Sequence, residues 1–424
     1  MEYKKVKYSE IGKVKSGKRL PKGEFVSEVV SNNKYIRVRD INGNILNSKD
    51  VQYITNEASK KIKNYKVKTK DIIISVVGTV GSIAEIPREL DGAYLTENCD
   101  NLLVDEEKCL KKYLKHYLIS KLGQEQVIAN TVGSTQPKLP IYGIENFDII
   151  LPEIDIQKKI IRILDAFDNK ILCNNQINDN LQELINNLYI KYFVDFEEYC
   201  GEYKESDLGI IPDNFEVDTL GNVITFSNGY GWNSKDMSDN SKEESYKVFK
   251  MGNINIGGGI NKAKTKSWIK KDIANNLEQY ISKKGDILMC MTDMKNSGNP
   301  LLGHTALIDK DDEFVINQRV GIIRCNKKLG YAYIYTMSNL KHFINDIRSR
   351  ANSGVQVNLT TKGICDTLVL VPDDITLNKF QKTAEPLYEK IFINNNENEI
   401  LEQLKDTLLL KLMNREIDLD KIEI

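Results

Sequence analysis

The segment Leu151–Lys191 recurs 220 residues later as Val371–Lys411, without a gap. Identical residues fall at Pro152/Pro372, Lys159/Lys379, Lys170/Lys390, Ile171/Ile391, Asn174/Asn394, Asn175/Asn395, Asn178/Asn398, Leu181/Leu401, Leu184/Leu404, Leu188/Leu408 and Lys191/Lys411. Chance gives roughly three or four matches in such a window. The register continues upstream through Gln136/Gln356, Leu139/Leu359, Gly143/Gly363 and Ile144/Ile364. The chain therefore reads as a globular half, a long helix, a second globular half and a second long helix. Duplication of this kind suits the handling of two similar things held at a fixed distance.

Both helices carry a 4-3 apolar seam. It runs Ile160, Leu164, Phe167, Ile171, Asn174, Asn178, Leu181, Ile185, Leu188, Tyr192 in the first. In the second it runs Phe380, Ala384, Leu387, Ile391, Asn394, Asn398, Leu401, Lys405, Leu408, Leu412. A heptad repeat this long argues for a coiled coil. Antiparallel pairing sets Asn174 against Asn398 and Asn178 against Asn394, with Ile171 on Leu401 and Leu164 on Leu408. Amides in an apolar seam cost stability unless they bond one another, so these four fix register and direction. Two residues resist the scheme. Lys405 faces Phe167 and must snorkel, and Pro386 should kink the second helix or mark its effective start.

The globular halves mix strands and helices. Lys34–Ile41 alternates as a strand, Asp71–Val77 reads as a buried strand, and Glu106–Ala129 has helical spacing. In the second half Tyr246–Ile254, Asp286–Met291, Thr305–Ile308 and Phe314–Arg324 read as strands, Thr292–Gly303 as a polar loop and Tyr331–Arg350 as a helix. The fold class expected is α+β: two similar mixed α/β domains separated by two long antiparallel coiled-coil helices, with a pseudo-two-fold internal repeat. The segments are domain 1 at 1–152, a central helix at 153–197, a polar linker at 198–212, domain 2 at 213–372 and a C-terminal helix at 373–424.

Net charge is −1, but its distribution follows the repeat. Residues 1–70 hold 18 Lys+Arg against 7 Asp+Glu, and residues 251–350 hold 16 against 9. Residues 151–250 hold 10 against 19, and 373–424 hold 7 against 12. Basic globular halves beside acidic helices suit a nucleic-acid partner at the former. No apolar run approaches a membrane span, and no export signal is evident. Seven scattered cysteines without a C-x-x-C pair read as free thiols in a reducing cytosol, so a cytoplasmic location is expected.

The segments Leu151-Pro-Glu-Ile-Asp-Ile-Gln-Lys-Lys-Ile160, Ile163-Leu-Asp-Ala-Phe-Asp-Asn-Lys-Ile171 and Tyr192-Phe-Val-Asp-Phe196 resemble the central region of the specificity (S) subunits of Type I restriction–modification systems. Ser206-Asp-Leu-Gly-Ile-Ile-Pro212 with Phe215-Glu-Val resembles the opening of that family's second target-recognition domain. Gly133-Ser-Thr-Gln136 and Gly354-Val-Gln356 sit where each such domain returns to its helix. The resemblance covers the whole chain. It implies two target-recognition domains, each reading half of a split double-stranded DNA site, and an antiparallel helix pair as the spacer. It further implies two methylation subunits docked on the helices and restriction (motor-nuclease) subunits that join them. This chain would bind no cofactor, with S-adenosylmethionine on the methylation partner and ATP/Mg on the restriction partner. A helix over 153–196 would span about 65 Å, comparable with about 19 base pairs.

Candidate DNA contacts in the first half are Lys18, Arg19, Lys22, Arg37, Arg39, the turn Gly78, Thr79 and Gly81, and Ser134, Gln136 and Lys138. In the second half they are Tyr230, Trp232, Lys250, Asn253, Lys295, Asn296, Arg319 and Gln356. Arginine can bond guanine twice, glutamine adenine twice, and lysines mostly meet phosphate. Gln136 and Gln356 recur at one register, which favours a shared structural or phosphate role. Ile163, Ile177, Leu184, Tyr189 and Phe193 lie outside the seam and offer apolar area to partner helices.

Catalytic motifs are lacking. No N-P-P-Y-like loop, G-x-G-x-x-G or P-loop is present. Glu2-Tyr-Lys4 and Glu202-Tyr-Lys204 sit at a terminus and in the linker, and His116, His304 and His342 stand apart in sequence, so neither a nuclease nor a metal site is expected. A non-catalytic specificity subunit is the leading reading. The alternatives are a free-standing endonuclease or methyltransferase with its own recognition domains, and a coiled-coil scaffold that binds protein only.

Overall fold

The computed structural model describes residues 3–42, 44–48, 51–239, 244–294, 301–326, 328–352, 356–414 and 416–417. The chain divides into two compact units, residues 1–173 with 397–424, and residues 174–396. Each unit holds one globular module and one end of each long helix. Among the described residues no helix is long and apolar enough to cross a membrane.

The two modules follow one plan. In unit 1, Lys4–Lys7 pairs antiparallel with Asp148–Leu151, closing the module where the central helix leaves. A four-stranded antiparallel sheet runs in the order Gly12–Ser16, Cys99–Val104, Ile72–Ser75, Ile83–Glu85. Lys34–Ile36 pairs parallel with Tyr94–Leu95 in a second, smaller sheet. In unit 2 the equivalents are Glu216–Thr219 with Leu368–Val371, then Ile224–Asn228, Val320–Cys325, Ile287–Cys290, Thr305–Leu307, then Ser245–Phe249 parallel to Phe314–Ile316. The central strand of each main sheet is apolar on both faces because it divides two cores. Ile72 and Ile74 enter the core that also takes up helix Lys111–Ile119, while Ile73 enters the core under the smaller sheet. Ile287 and Met289 split from Leu288 and Cys290 in the same way. A period of two on a strand buried on both sides produces this division.

Several expected elements are shorter than their apolar pattern suggests, and in matching places. The strand expected over Lys34–Ile41 stops at Ile36, and Val38–Asp40 forms one turn of 3-10 helix. The strand expected over Tyr246–Ile254 stops at Phe249 before the turn Met251–Asn253. In both, a side-chain oxygen captures the backbone N–H three residues back. Asp40 Oδ2 accepts from Arg37 N at 2.8 Å, and Asn253 Oδ1 accepts from Lys250 N at 2.9 Å. The expected helix Glu106–Ala129 is two helices, Lys111–Ile119 and Lys121–Asn130, and Tyr331–Arg350 is likewise Gly330–Ser338 and Lys341–Ser349. Phe314–Arg324 is two strands, Phe314–Ile316 and Val320–Cys325, around a turn.

The long helices span Ile154–Phe193 and Asp374–Met413. No described seam residue is exposed. They pair antiparallel within each unit. In unit 1, Ile160 and Leu164 share a core with Leu409, Leu412 and Met413. In unit 2, Asn394 Nδ2 donates to Asn178 Oδ1 at 2.8 Å, as the register requires, and Asn178 Nδ2 donates onward to Asn395 Oδ1 at 2.9 Å. Asn174, Asn394 and Asn398 are buried. Lys405 resolves its awkward seam position by pairing with Asp168. Pro386 neither starts nor ends the second helix, which begins at Asp374; its ring is exposed, away from the seam.

The joint between module and helix differs between units. In unit 1 it is ionic: buried His116 Nε2 meets Asp165 Oδ1 at 3.0 Å, and Lys112 Nζ meets Asp165 Oδ2 at 2.6 Å. In unit 2 the positions of Lys112, His116 and Asp168 are taken by Tyr331, Tyr335 and Tyr388, whose rings pack 5.5 to 6.3 Å apart. Partial burial pushes the Asp165 carboxyl up, but hydrogen bonds from His116 and Lys112 outweigh it and hold it down at about 2. A depressed carboxyl contributes stability above its unfolded pKa and loses it as protons bind. Unit 1 should therefore lose stability as pH falls from about 4 towards 2, and Asp165→Asn should flatten that slope in urea titrations. Asn394→Leu strands Asn178 Oδ1 and should cost about 1–3 kcal/mol, read as a lower urea midpoint at unchanged m.

Candidate nucleic-acid interface

One end of each main sheet is organised by a two-residue turn. In unit 1 it is Glu97-Asn98, closed by Cys99 N donating to Thr96 O at 3.1 Å. Three neighbouring segments attach to it. Gly17 N donates to Cys99 O at 3.0 Å, Val76 N to Asn98 O at 2.8 Å, and Thr96 N to Ile36 O at 3.1 Å. In unit 2 the turn is Gln318-Arg319, closed by Val320 N to Asn317 O at 2.9 Å. Gly229 N donates to Val320 O at 2.9 Å, Met291 N to Arg319 O at 3.2 Å, and Asn317 N to Phe249 O at 3.0 Å. The pattern is the same bond for bond.

Gly17 and Gly229 make this approach possible. A Cβ on Gly17 would stand 1.9 Å from Thr96 O, and one on Gly229 would stand 2.3 Å from Asn317 O. Neither contact can be relieved by moving a side chain, because the obstacle is backbone.

Around the turn of unit 1 the sheet end gathers several expected residues. Lys18 and Arg19 follow Gly17, and Lys18 N bonds Leu95 O at 2.8 Å. The Gly78-Thr79 turn is exposed, with Gly78 at φ +85°. Val77 bridges Lys138, whose backbone also bonds Val132 in both directions, and this brings exposed Ser134, Gln136 and Lys138 alongside. Beneath them Asp100 is buried. Desolvation raises its carboxyl, opposed by a hydrogen bond from Ser16 and the charge of Lys138. Arg19 is 82% exposed, and its Nε donates to Glu97 Oε1 at 2.7 Å. Thr96 Oγ1 holds Glu97 Oε2 at 2.9 Å. Burial raises the Glu97 carboxyl, yet these bonds keep it below its ordinary value. Lys22 and Arg39 are exposed.

Other candidates have structural employment. Arg37 is engaged by Asp40 and Gln52. Gly81 faces Val127, 2.7 Å from where its Cβ would be, so it serves helix packing and not duplex approach. In unit 2, Tyr230 is half-exposed and Arg319 exposed at the turn, and exposed Lys250 donates to Ser267 Oγ at 2.9 Å. Trp232 is a correction: it is buried, its Nε1 donates to Ile316 O at 2.9 Å, and it packs with Tyr246, Val248, Ile269 and Val315 in a core on the other face of the smaller sheet. Asn253 is a second correction, buried and spent on Lys250, Asn261 and Thr265. Gln356 pairs through its backbone with Met294 in a short ribbon. Lys295 and Asn296 lie outside the described residues.

On the helices, Ile177 and Leu184 are exposed and Ile163 half-buried against its own core. Tyr189 and Phe193 are corrections, being buried against Tyr333 and Phe380 and so closed to a partner. His116, Asp165 and Asp168 could in geometry surround a cation, but the ammonium groups of Lys112 and Lys405 already neutralise both carboxylates.

Sequence reading missed Gly17, Gly229, Glu97, Asn98 and Gln318. Two signals were available: the Ser16-Gly17 and Asn228-Gly229 pairs that end the first sheet strand of each half, offset by 212, and Thr96–Cys99 against Asn317–Val320, offset by 221.

Residues 1–183 match the family model described as Type I restriction modification DNA specificity domain. The chain is 23% identical over 328 residues to the MjaIX specificity subunit of Methanocaldococcus jannaschii, covering 76% of this chain and 72% of that protein. It is 22% identical over 452 residues to the HindI specificity subunit of Haemophilus influenzae, covering 91% and 95%. Among solved structures, the S subunit of a Type I system from M. genitalium aligns over 97% of this chain and 96% of its own, with 17% identity and a TM-score of 0.49.

Gly17→Ala should break the approach to Thr96 at a cost of about 1–3 kcal/mol. Hydrogen exchange should show faster exchange at Gly17, Cys99 and Val76 in unit 1, with Gly229 and Val320 unchanged.

Proposed function

We infer that this chain, a member of the Type I restriction–modification specificity-subunit family, is the component that chooses a bipartite DNA site, one half read by each module. The supporting observation is the sheet-end turn built twice with the same backbone bonds and different exposed side chains. A shared frame suits the shared task of meeting a duplex, and variable side chains suit two different half-sites. Exposed Lys18, Arg19, Lys138 and Arg319 supply the charge for phosphate and base contact.

The chain itself performs no chemistry in this reading. Methylation and restriction belong to partner subunits, with S-adenosylmethionine on the first and ATP/Mg on the second. The helices offer docking area to those partners. Leu184 and its repeat equivalent Leu404 are 46% and 50% exposed, one in each unit, which suits two copies of one methylation subunit.

The full-length chain with its methylation subunits should bind duplex DNA with log affinity falling linearly in log salt. Roughly six phosphate contacts imply about a 10³-fold loss between 50 and 200 mM salt. Methyl transfer should need the methylation subunit and be zero for the chain alone. Salt-independent binding, or methylation by the isolated chain, would contradict the assignment. Leu184→Asp with Leu404→Asp should abolish co-purification of the methylation subunit while leaving the melting temperature within a few degrees, since both side chains are exposed.

A further inference from the structure

The same place in the two modules carries different reading chemistry. Residue 19 corresponds to Gly231, and Glu97 to Gln318, by the offsets of their glycines and turns. In unit 1 this place holds a buttressed guanidinium. Glu97 grips Arg19 through Nε, and Thr96 grips Glu97. A guanidinium held by Nε still has both Nη groups to donate, and the Arg19 side chain is 82% exposed. In unit 2 no arginine is opposite. Gly231 leaves room, and the exposed Gln318 carboxamide lies over it, its Oε1 2.8 Å from where a Gly231 Cβ would be.

Paired Nη donors match the O6 and N7 acceptors of guanine, while a carboxamide matches the N6 donor and N7 acceptor of adenine. We propose that this one position sets base preference in each half-site: Arg19, positioned by Glu97, reads a guanine for the first module, and Gln318 reads an adenine for the second. The proposal rests on the DNA-specificity reading above and adds which residues discriminate and what they select. Glu97 is a positioning residue, and without it Arg19 keeps its charge but loses its orientation.

The test is selection of duplexes from a randomised library by the full-length chain with its methylation subunits, followed by sequencing. Wild type should enrich a split site with guanine at one position of one half and adenine at one position of the other. Arg19→Ala should erase the guanine preference, a loss of roughly 5- to 150-fold in discrimination, and leave the other half-site intact. Arg19→Lys and Glu97→Ala should relax the same position while retaining phosphate-range affinity. Gln318→Ala should relax only the adenine position of the opposite half. Both targeted side chains are exposed, so unchanged melting temperatures are expected of Arg19→Ala and Gln318→Ala. A wild-type chain that selects no site would overturn the specificity reading and this assignment with it. A wild-type site that persists base for base in all four variants would overturn the assignment alone, as would a uniform loss of affinity with an unchanged consensus.

Discussion

The module depends on a backbone contact that only glycine allows. Where Gly17 passes Thr96, and Gly229 passes Asn317, two main chains lie closer than any Cβ permits. That closeness lets the first sheet strand, the central strand and the smaller sheet all bond a single two-residue turn. Each bond contributes about 1 kcal/mol net, but the larger effect is geometric. Four segments are held at one sheet end, their bonded residues such as Ile36, Val76 and Cys99 buried, and exposed Lys18 and Arg19 follow directly from that fixed frame. Sites built on such frames hold a reading group more accurately than a free loop could.

Below that frame the two halves diverge freely. The ionic joint of Lys112, His116 and Asp165 in unit 1 is an aromatic one of Tyr331, Tyr335 and Tyr388 in unit 2. The bond that turns the chain after the smaller sheet's first strand uses Asp40 in one half and Asn253 in the other. Geometry persists while chemistry changes, because a turn or joint can be satisfied by several side chains, whereas the close approach at Gly17 and Gly229 has one solution.

Much of the architecture was legible because it is periodic. The 4-3 seam identified both helices, and the asparagine positions identified their antiparallel register, realised where Asn394 bonds Asn178. Apolar runs located the central strands. Hydropathy did not reveal interruptions made by single polar bonds, such as Ser120 between two helices, Asp40 after Ile36, or the turn inside Phe314–Arg324. That last omission hid Gln318, which reads as interior to a strand although its neighbour Arg319 stands among the expected contacts. Trp232, Tyr189 and Phe193 were misplaced for the opposite reason: an aromatic suited to an interface is equally suited to a core, and composition cannot separate the two.

The central claim is that two equivalent frames each meet their own part of one duplex. Hydroxyl-radical footprinting of the bound chain on its selected site tests it most directly. The account predicts two separate protected segments, with Gly17→Ala removing one and leaving the other in place. A single uninterrupted footprint, or simultaneous loss of both segments in that variant, would contradict it.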